Sequence, residues 1–134
     1  TVLCWGSNGR GQAGDGESGG NRARPVRVIG LPAVEHLVSG GNHTCALTKD
    51  GETWCWGSNH NAQIDGSGAD QLPPVQLTAL PRDTKKLTLG RAHTCARTAD
   101  GRVYCWGRNN FGQLGSGGTQ LKTGRPTVVP LACD

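Results

Sequence analysis

The residues with the clearest chemical potential in this 134-residue chain are its six cysteines and four histidines. Two of the histidines begin a His-x-Cys motif that is followed by a further cysteine: His43-x-Cys45 with Cys55, and His93-x-Cys95 with Cys105. Each set offers three ligands of the kind that bind Zn²⁺, but a fourth is not evident, although His60 could serve the first set. The same cysteines can instead form disulfides, so the choice depends on the strands that carry them.

The remaining polar side chains are weaker candidates for metal binding or catalysis. Carboxylates lie in two loops, at Asp15-Gly16-Glu17 and between Asp65 and Asp70. Calcium loops place oxygen ligands at alternate positions, and Ala69 interrupts that spacing. No Ser-His-Asp or Cys-His nucleophilic set is evident. We therefore expect no metal, no cofactor and no enzymatic activity. Asn42-His43-Thr44 is a glycosylation sequon, usable only if a glycosylating cell secretes the protein.

The composition excludes several classes of protein. Glycine is abundant, at 22 residues, and it follows no three-residue period, which excludes a helical bundle and a collagen. No apolar run approaches the roughly 18 residues that a membrane span needs. The net charge is +4, and the basic residues are scattered, with Arg22, Arg24 and Arg27 the densest group. We therefore expect neither a nucleic-acid partner nor a membrane span.

The strongest pattern is an internal repeat with a period of about 50 residues. Cys-Trp-Gly-x-Asn occurs at 4–8, 55–59 and 105–109, and His-Thr-Cys-Ala occurs at 43–46 and 93–96. An Asp-Gly pair follows the second motif at 50–51 and at 100–101. Chance does not align so many positions, so the chain consists of copies of one structural unit.

Each unit is predicted to consist of short strands, because runs rich in Thr, Val, Leu and Trp are broken by Gly-Gly and Asp-Gly. Residues 44–48 and 52–55 predict a hairpin around a three-residue loop, with Gly51 left-handed. Four short strands per unit are typical of a β-propeller blade. We predict an all-β partial β-propeller of about two and a half four-stranded blades. The units are a half blade of two strands at 1–34, a full blade at 35–84, and a full blade with a C-terminal tail at 85–134.

The order His-Thr-Cys-Ala, Asp-Gly, Cys-Trp-Gly, Gly-Gln-Leu-Gly resembles the regulator of chromosome condensation repeat over nearly the whole chain. The resemblance implies a seven-bladed propeller that binds proteins. The cysteine-bearing version is similar to a secreted bacterial branch of that superfamily. A seven-bladed ring needs roughly 350 residues at this period. This chain is three repeats less two strands, so we expect that it does not close a ring by itself.

Hairpin geometry predicts two disulfides. With a three-residue loop at 49–51, Cys45 falls opposite Cys55 as a non-hydrogen-bonded pair, where side chains approach most closely. Cys95 and Cys105 repeat this arrangement. Cys4 is the counterpart of Cys55 but lacks its partner strand.

The two remaining cysteines, Cys4 and Cys133, lie near opposite ends of the array. We therefore predict an intermolecular bond from Cys4 of one copy to Cys133 of the next. The alternative is that Cys4 has lost its partner and that Cys133 is incidental.

The three repeated tryptophans, Trp5, Trp56 and Trp106, are predicted to pack between blades, and an aromatic ligand platform is the alternative.

Two functions follow from the incomplete array. The first is a non-enzymatic, secreted structural protein that assembles head to tail with other copies of itself into an oligomer or filament. In that assembly residues 1–28 dock near 126–134 of the neighbouring copy. The alternative is a fragment of a longer propeller that binds a protein partner through its loops.

Overall fold

The computed structural model describes residues 1–131, with every side chain except that of Leu72. Ten β-strands account for its regular structure, and this range contains no helix. The strands are β1 (Leu3–Ser7), β2 (Asn21–Arg27), β3 (Val34–Ser39), β4 (His43–Thr48), β5 (Thr53–Ser58), β6 (Gln71–Gln76), β7 (Thr84–Leu89), β8 (His93–Thr98), β9 (Val103–Arg108) and β10 (Lys122–Val128). Within residues 1–131, no helix has the length and hydropathy needed to cross a membrane.

The strands form three antiparallel sheets in chain order. The first sheet has two strands, β1 and β2. The second has the order β3-β4-β5-β6, and the third has the order β7-β8-β9-β10. This confirms the predicted all-β class and the sequence of two strands followed by two sets of four.

The central hairpin of each four-stranded sheet has the predicted register. Cys45 pairs with Cys55 in the second sheet, and Cys95 pairs with Cys105 in the third. The turns need a left-handed residue, and Gly51 and Gly101 supply it with φ angles of 78° and 88°. A side chain at these φ angles would be strained, which explains the glycine of each Asp-Gly pair.

Each Cys-Trp-Gly motif contains a register shift at the same place. The shift falls between Cys4 and Gly6, between Cys55 and Gly57, and between Cys105 and Gly107. The extra residues lie in the partner strand, two in β2, one in β6 and two in β10. The single residue opposite them is a tryptophan in all three sheets, so each sheet carries one large aromatic ring at the same position.

The buried apolar residues form two clusters, one at each junction between neighbouring sheets. Val28, Ala46 and Trp56 form the cluster between the first and second sheets. The larger cluster, between the second and third sheets, includes Ile64, Leu87 and Trp106. The core therefore lies between sheets, as required when each sheet is too small to bury its own apolar face.

Candidate interaction surfaces

Two of the repeated tryptophans join neighbouring sheets. Trp56 and Trp106 are both 0% exposed. The indole Nε1 of Trp56 donates to the backbone oxygen of Gln12 at 3.0 Å, and that of Trp106 donates to the backbone oxygen of Ile64 at 3.0 Å. Each bond runs from a sheet to the loop of the preceding sheet. These rings therefore act as packing residues, and the alternative role of a ligand platform has no exposed ring face to use here.

Trp5 differs from its two counterparts. It was predicted to pack between blades, yet 67% of it is exposed. Trp56 and Trp106 are covered by the sheet before them, and no sheet of the described chain precedes β1. Position in the repeat therefore orients the ring, whereas burial requires a preceding sheet.

The cysteines of the hairpins are brought together. The Sγ atoms of Cys45 and Cys55 lie 2.10 Å apart, and those of Cys95 and Cys105 lie 2.12 Å apart, at disulfide distance. The paired sulfurs of a disulfide are not zinc ligands, so the two His-x-Cys sets form no zinc site in this arrangement. More generally, no three His, Cys, Asp or Glu side chains within residues 1–131 are grouped to hold a metal ion.

Cys4 forms no disulfide with any residue of the described range and is half-buried. Its predicted intermolecular partner, Cys133, lies outside the described residues. The Cys4–Cys133 bond therefore stays a prediction.

The histidine of the second sheet forms a buried bridge to the third. His43 is 1% exposed, and its Nε2 lies 2.9 Å from the hydroxyl of Thr94. Thr94 in turn donates to the backbone oxygen of Gln63 at 2.6 Å. Desolvation, assisted by the nearby charge of His93, lowers the pKa of His43 from its ordinary value of 6.5 to about 4. His43 is thus a neutral hydrogen-bonding residue at neutral pH, in line with the structural role expected from the repeated His-Thr pair.

The asparagine of each Cys-Trp-Gly-x-Asn motif anchors the glycine-rich loop that follows it. Asn8, Asn59 and Asn109 are 0%, 3% and 6% exposed. Their Oδ1 atoms accept backbone N–H bonds from Ala13, Ile64 and Leu114 at 2.9–3.1 Å. Their Nδ2 atoms donate to backbone oxygens further along each loop at 3.0 Å, namely those of Glu17, Ala69 and Gln120. Sequence reasoning assigned these asparagines no role, although their repetition in all three motifs was a usable signal.

The acidic loops use their carboxylates internally. Asp65 accepts from the Asn59 amide at 3.0 Å and from the Ser67 backbone N–H at 3.0 Å. Asp15 pairs with Arg22, and that side-chain hydrogen bond is the main cause of the lowered pKa of Asp15. These loops are therefore hydrogen-bonded turns.

A basic groove lies where the first strands of the two larger sheets meet. It has a volume of about 320 Å³ and is lined by His36, Leu37, Val38, Lys85, Lys86 and Leu87. We call it the β3–β7 groove. Lys85, Lys86 and His36 are all exposed, and within residues 1–131 none of them forms an ion pair. The groove therefore presents positive charge beside apolar side chains.

Comparison with known proteins gives one family. The profile of the regulator of chromosome condensation (RCC1) repeat matches residues 1–47 and 100–132, and a second profile of the same repeat matches 34–63 and 85–113. Among curated proteins, the chain is 37% identical over 79 residues to the mitochondrial RCC1 domain-containing protein RUG3 of Arabidopsis thaliana. It is 38% identical over 77 residues to the human probable E3 ubiquitin-protein ligase HERC6.

The fold also matches a solved propeller of this type. Prp20p of Saccharomyces cerevisiae superimposes with a TM-score of 0.82 and 26% identity over 95% of this chain, which corresponds to 33% of Prp20p. The match to RUG3 takes in 58% of this chain and 17% of RUG3, and the match to HERC6 takes in 56% of this chain and 7% of HERC6. The chain thus spans a third or less of these relatives. The repeated motifs, the three sheets and these matches together show that the chain is a partial β-propeller and belongs to the regulator of chromosome condensation repeat family.

Proposed function

We propose that these residues form part of a propeller that binds a protein, and that the β3–β7 groove receives an acidic segment of that partner. The observation that carries the proposal is the pair of exposed lysines, Lys85 and Lys86, beside Leu37 and Leu87 in an open groove. A positive groove with apolar walls attracts an acidic segment and offers it apolar contact. The family supports a binding role, since the structure of Prp20p was described together with its binding to Gsp1p and histones.

A defined acidic probe tests the groove. We expect a fluorescent poly-glutamate peptide to bind the chain, with an affinity that falls as salt screens the charges. The variant Lys85→Glu/Lys86→Glu should weaken binding by about tenfold or more. The matched control is Arg24→Glu/Arg27→Glu, which changes the net charge equally at two exposed residues of β2. An equal loss of poly-glutamate affinity in both variants would indicate a general charge effect and would refute binding in the β3–β7 groove.

A binding role without catalysis is part of this proposal. The relatives include a protein named a probable E3 ubiquitin-protein ligase, but the chain corresponds to only 7% of it. A ubiquitin-transfer assay with the purified chain tests the point, and any chain-dependent transfer would contradict it.

Secretion is proposed on the basis of the two hairpin cysteine pairs. Disulfides persist in oxidising compartments and are rare in reducing ones. Alkylation of intact cells before lysis, followed by mass spectrometry, should find Cys45, Cys55, Cys95 and Cys105 unalkylated. Full alkylation of these four thiols in the cell would place the protein in a reducing compartment.

Head-to-tail assembly is a second candidate function, favoured by the exposed ring of Trp5 at one end of the array. Light scattering of the purified chain across a concentration series would show growth beyond the monomer if it assembles. A monomer mass that stays constant at all concentrations without reductant would contradict both the head-to-tail assembly and the Cys4–Cys133 bond.

A further inference from the structure

A second cavity continues the β3–β7 groove toward the hairpin turn of the second sheet. It has a volume of about 480 Å³ and shares two lining residues with the groove, His36 and Lys85. Its other charged lining residues are Glu35, Lys49, Asp50 and Arg82. We call it the turn cavity. Because the groove and the turn cavity are contiguous, one extended segment of a partner can occupy both.

The groove and the turn cavity differ in charge. Among residues 1–131, no acidic side chain lines the groove, whose charged residues are Lys85 and Lys86. The turn cavity contains two carboxylates, those of Glu35 and Asp50, and both residues are exposed. Like charges repel, so an acidic segment that suits the groove does not suit the neighbourhood of these carboxylates. The acidic stretch of a bound partner should therefore end where the turn cavity begins.

The two carboxylates of the turn cavity are not neutralised within the described chain. Glu35 and Asp50 form no ion pair with any of residues 1–131. The guanidinium of Arg82 lies instead 3.2 Å from the carboxylate of Glu52. The two lysines that line the same cavity have long flexible stems and can turn toward solvent. Both carboxylates are therefore available to a cationic group of a partner.

Two equivalent bulges place opposite charges on the two sides of this space. In β3 the bulge falls at Glu35, where two steps along β3 match one step along β4. In β7 the same bulge falls at Lys85. Both strands lie at the ends of their sheets, and a bulge opposes the pairing of an added strand with such an edge. Recognition in this space therefore depends on side chains, which are acidic at one bulge and basic at the other.

The register of the second sheet sets the length of the segment that would fit. Leu37, in the groove, pairs with Ala46, and Asp50 follows Ala46 by four residues. At roughly 3.3 Å per residue, Asp50 is at most about 13 Å along the sheet from the level of Leu37. An extended partner segment covers that distance in about four residues.

We propose that the β3–β7 groove and the turn cavity together bind one extended segment of a protein partner, in which a short acidic run is followed within about four residues by lysine or arginine. The acidic side chains lie against Lys85 and Lys86, and the cationic side chain lies near Glu35 and Asp50. The inference rests on the proposed function, since it places the acidic run in the same groove. It adds the cation that the partner must carry.

Two peptides of the same composition test this arrangement. The block peptide is Glu-Glu-Glu-Glu-Gly-Lys-Lys, and the alternating peptide is Glu-Lys-Glu-Gly-Glu-Lys-Glu. Both are capped at their ends and carry the same fluorophore, so they have the same net charge. We expect fluorescence anisotropy to show that the block peptide binds the chain at least about fivefold more tightly, because only this peptide separates its acidic from its basic residues.

A double substitution in the turn cavity distinguishes this proposal from a general charge effect. Glu35→Gln/Asp50→Asn should weaken binding of the block peptide by about fivefold or more, because its lysines lose their partners. The same variant should bind poly-glutamate unchanged or more tightly, because two repelling charges are removed. Asn-Gly suits a hairpin turn as Asp-Gly does, so the turn is retained.

The matched control for the turn cavity is Glu17→Gln/Asp70→Asn. It changes the net charge equally at two side chains that are 82% and 73% exposed and that line neither the groove nor the turn cavity. We expect this control to change the affinities of the block peptide and the alternating peptide by the same factor, since it removes no local contact. Circular dichroism of each variant checks that its fold is retained.

Two results would overturn the proposal. One is equal affinity of the chain for the block peptide and the alternating peptide. The other is a Glu35→Gln/Asp50→Asn variant that binds the block peptide as tightly as the unsubstituted chain does. If poly-glutamate still binds in the groove in either case, this proposal alone fails. If Lys85→Glu/Lys86→Glu leaves poly-glutamate binding intact, the proposed function fails, and this proposal fails with it.

Discussion

Replacing Trp106 tests whether the contact between sheets carries the stability of the fold. Trp106 is 0% exposed, and its Nε1 bonds to the backbone oxygen of Ile64 at 3.0 Å. Truncating a fully buried tryptophan to alanine costs about 3–5 kcal/mol. Leaving a buried carbonyl without its donor costs about 1–3 kcal/mol more, part of which relaxation recovers. We expect Trp106→Ala to lower the free energy of unfolding by about 4 kcal/mol or more, which is a large share of the stability of a small domain.

Two further variants make the result interpretable if Trp106→Ala does not fold. Trp106→Phe keeps most of the apolar burial but removes the indole donor, so we expect a loss of about 1–3 kcal/mol. Trp5→Ala is the matched control, because Trp5 has the same repeat position but is 67% exposed. An exposed substitution of this kind should change stability by no more than about 0.5 kcal/mol.

Guanidinium denaturation without reductant, followed by far-ultraviolet circular dichroism, measures all three variants. Circular dichroism is preferable to fluorescence because the substitutions remove fluorophores. The reasoning is refuted if Trp5→Ala destabilises the chain as much as Trp106→Phe does. It is also refuted if Trp106→Phe leaves the midpoint unchanged.

Three further outcomes are expected. Replacing both Cys45 and Cys55 by alanine should lower the free energy of unfolding by about 2–3 kcal/mol, because the disulfide no longer closes a short loop in the unfolded chain. The intact mass with and without reductant should first show that the native chain contains the bond. Asn59→Ala should lower the free energy of unfolding by about 1–3 kcal/mol, because buried loop groups lose their hydrogen-bond partner. Asn110→Ala, at an exposed asparagine that follows Asn109, should change it by no more than about 0.5 kcal/mol in the same denaturation assay. The lowered pKa of His43, about 4 when folded against 6.5 when unfolded, means that the unfolded state binds more protons between these values. Stability should therefore be fully present above pH 6.5 and should fall by about 3 kcal/mol toward pH 4, and the pH dependence of urea midpoints should flatten in His43→Gln.

Local features were predictable from the sequence. The Asp-Gly turn and the three-residue loop predict that Cys45 lies opposite Cys55, because strand side chains alternate with a period of two, and the structure has this pairing. The period of about 50 residues likewise gave the number and grouping of strands. These features depend on turn chemistry and alternation, which act over a few residues.

Long-range contacts were not predictable in this way. The bond between His43 and Thr94 joins residues 51 positions apart and depends on how two sheets meet. The role of Asn59 depends on a loop that closes over it to leave the side chain 3% exposed. Neither contact follows from hydropathy, because both involve polar residues that are buried only once the neighbouring elements have packed.

The three tryptophans separate what the repeat sequence determines from what the packing of the sheets determines. The repeat alone determined that each Cys-Trp-Gly motif places its ring at the same point of its strand, since a register shift opposite the tryptophan and a left-handed glycine after it recur in all three sheets. Only the tertiary structure decided that Trp56 and Trp106 are buried and that Trp5 is exposed. The physical reason is that a blade buries its apolar face only against a neighbouring blade, so identical motifs have different environments according to their place in the array.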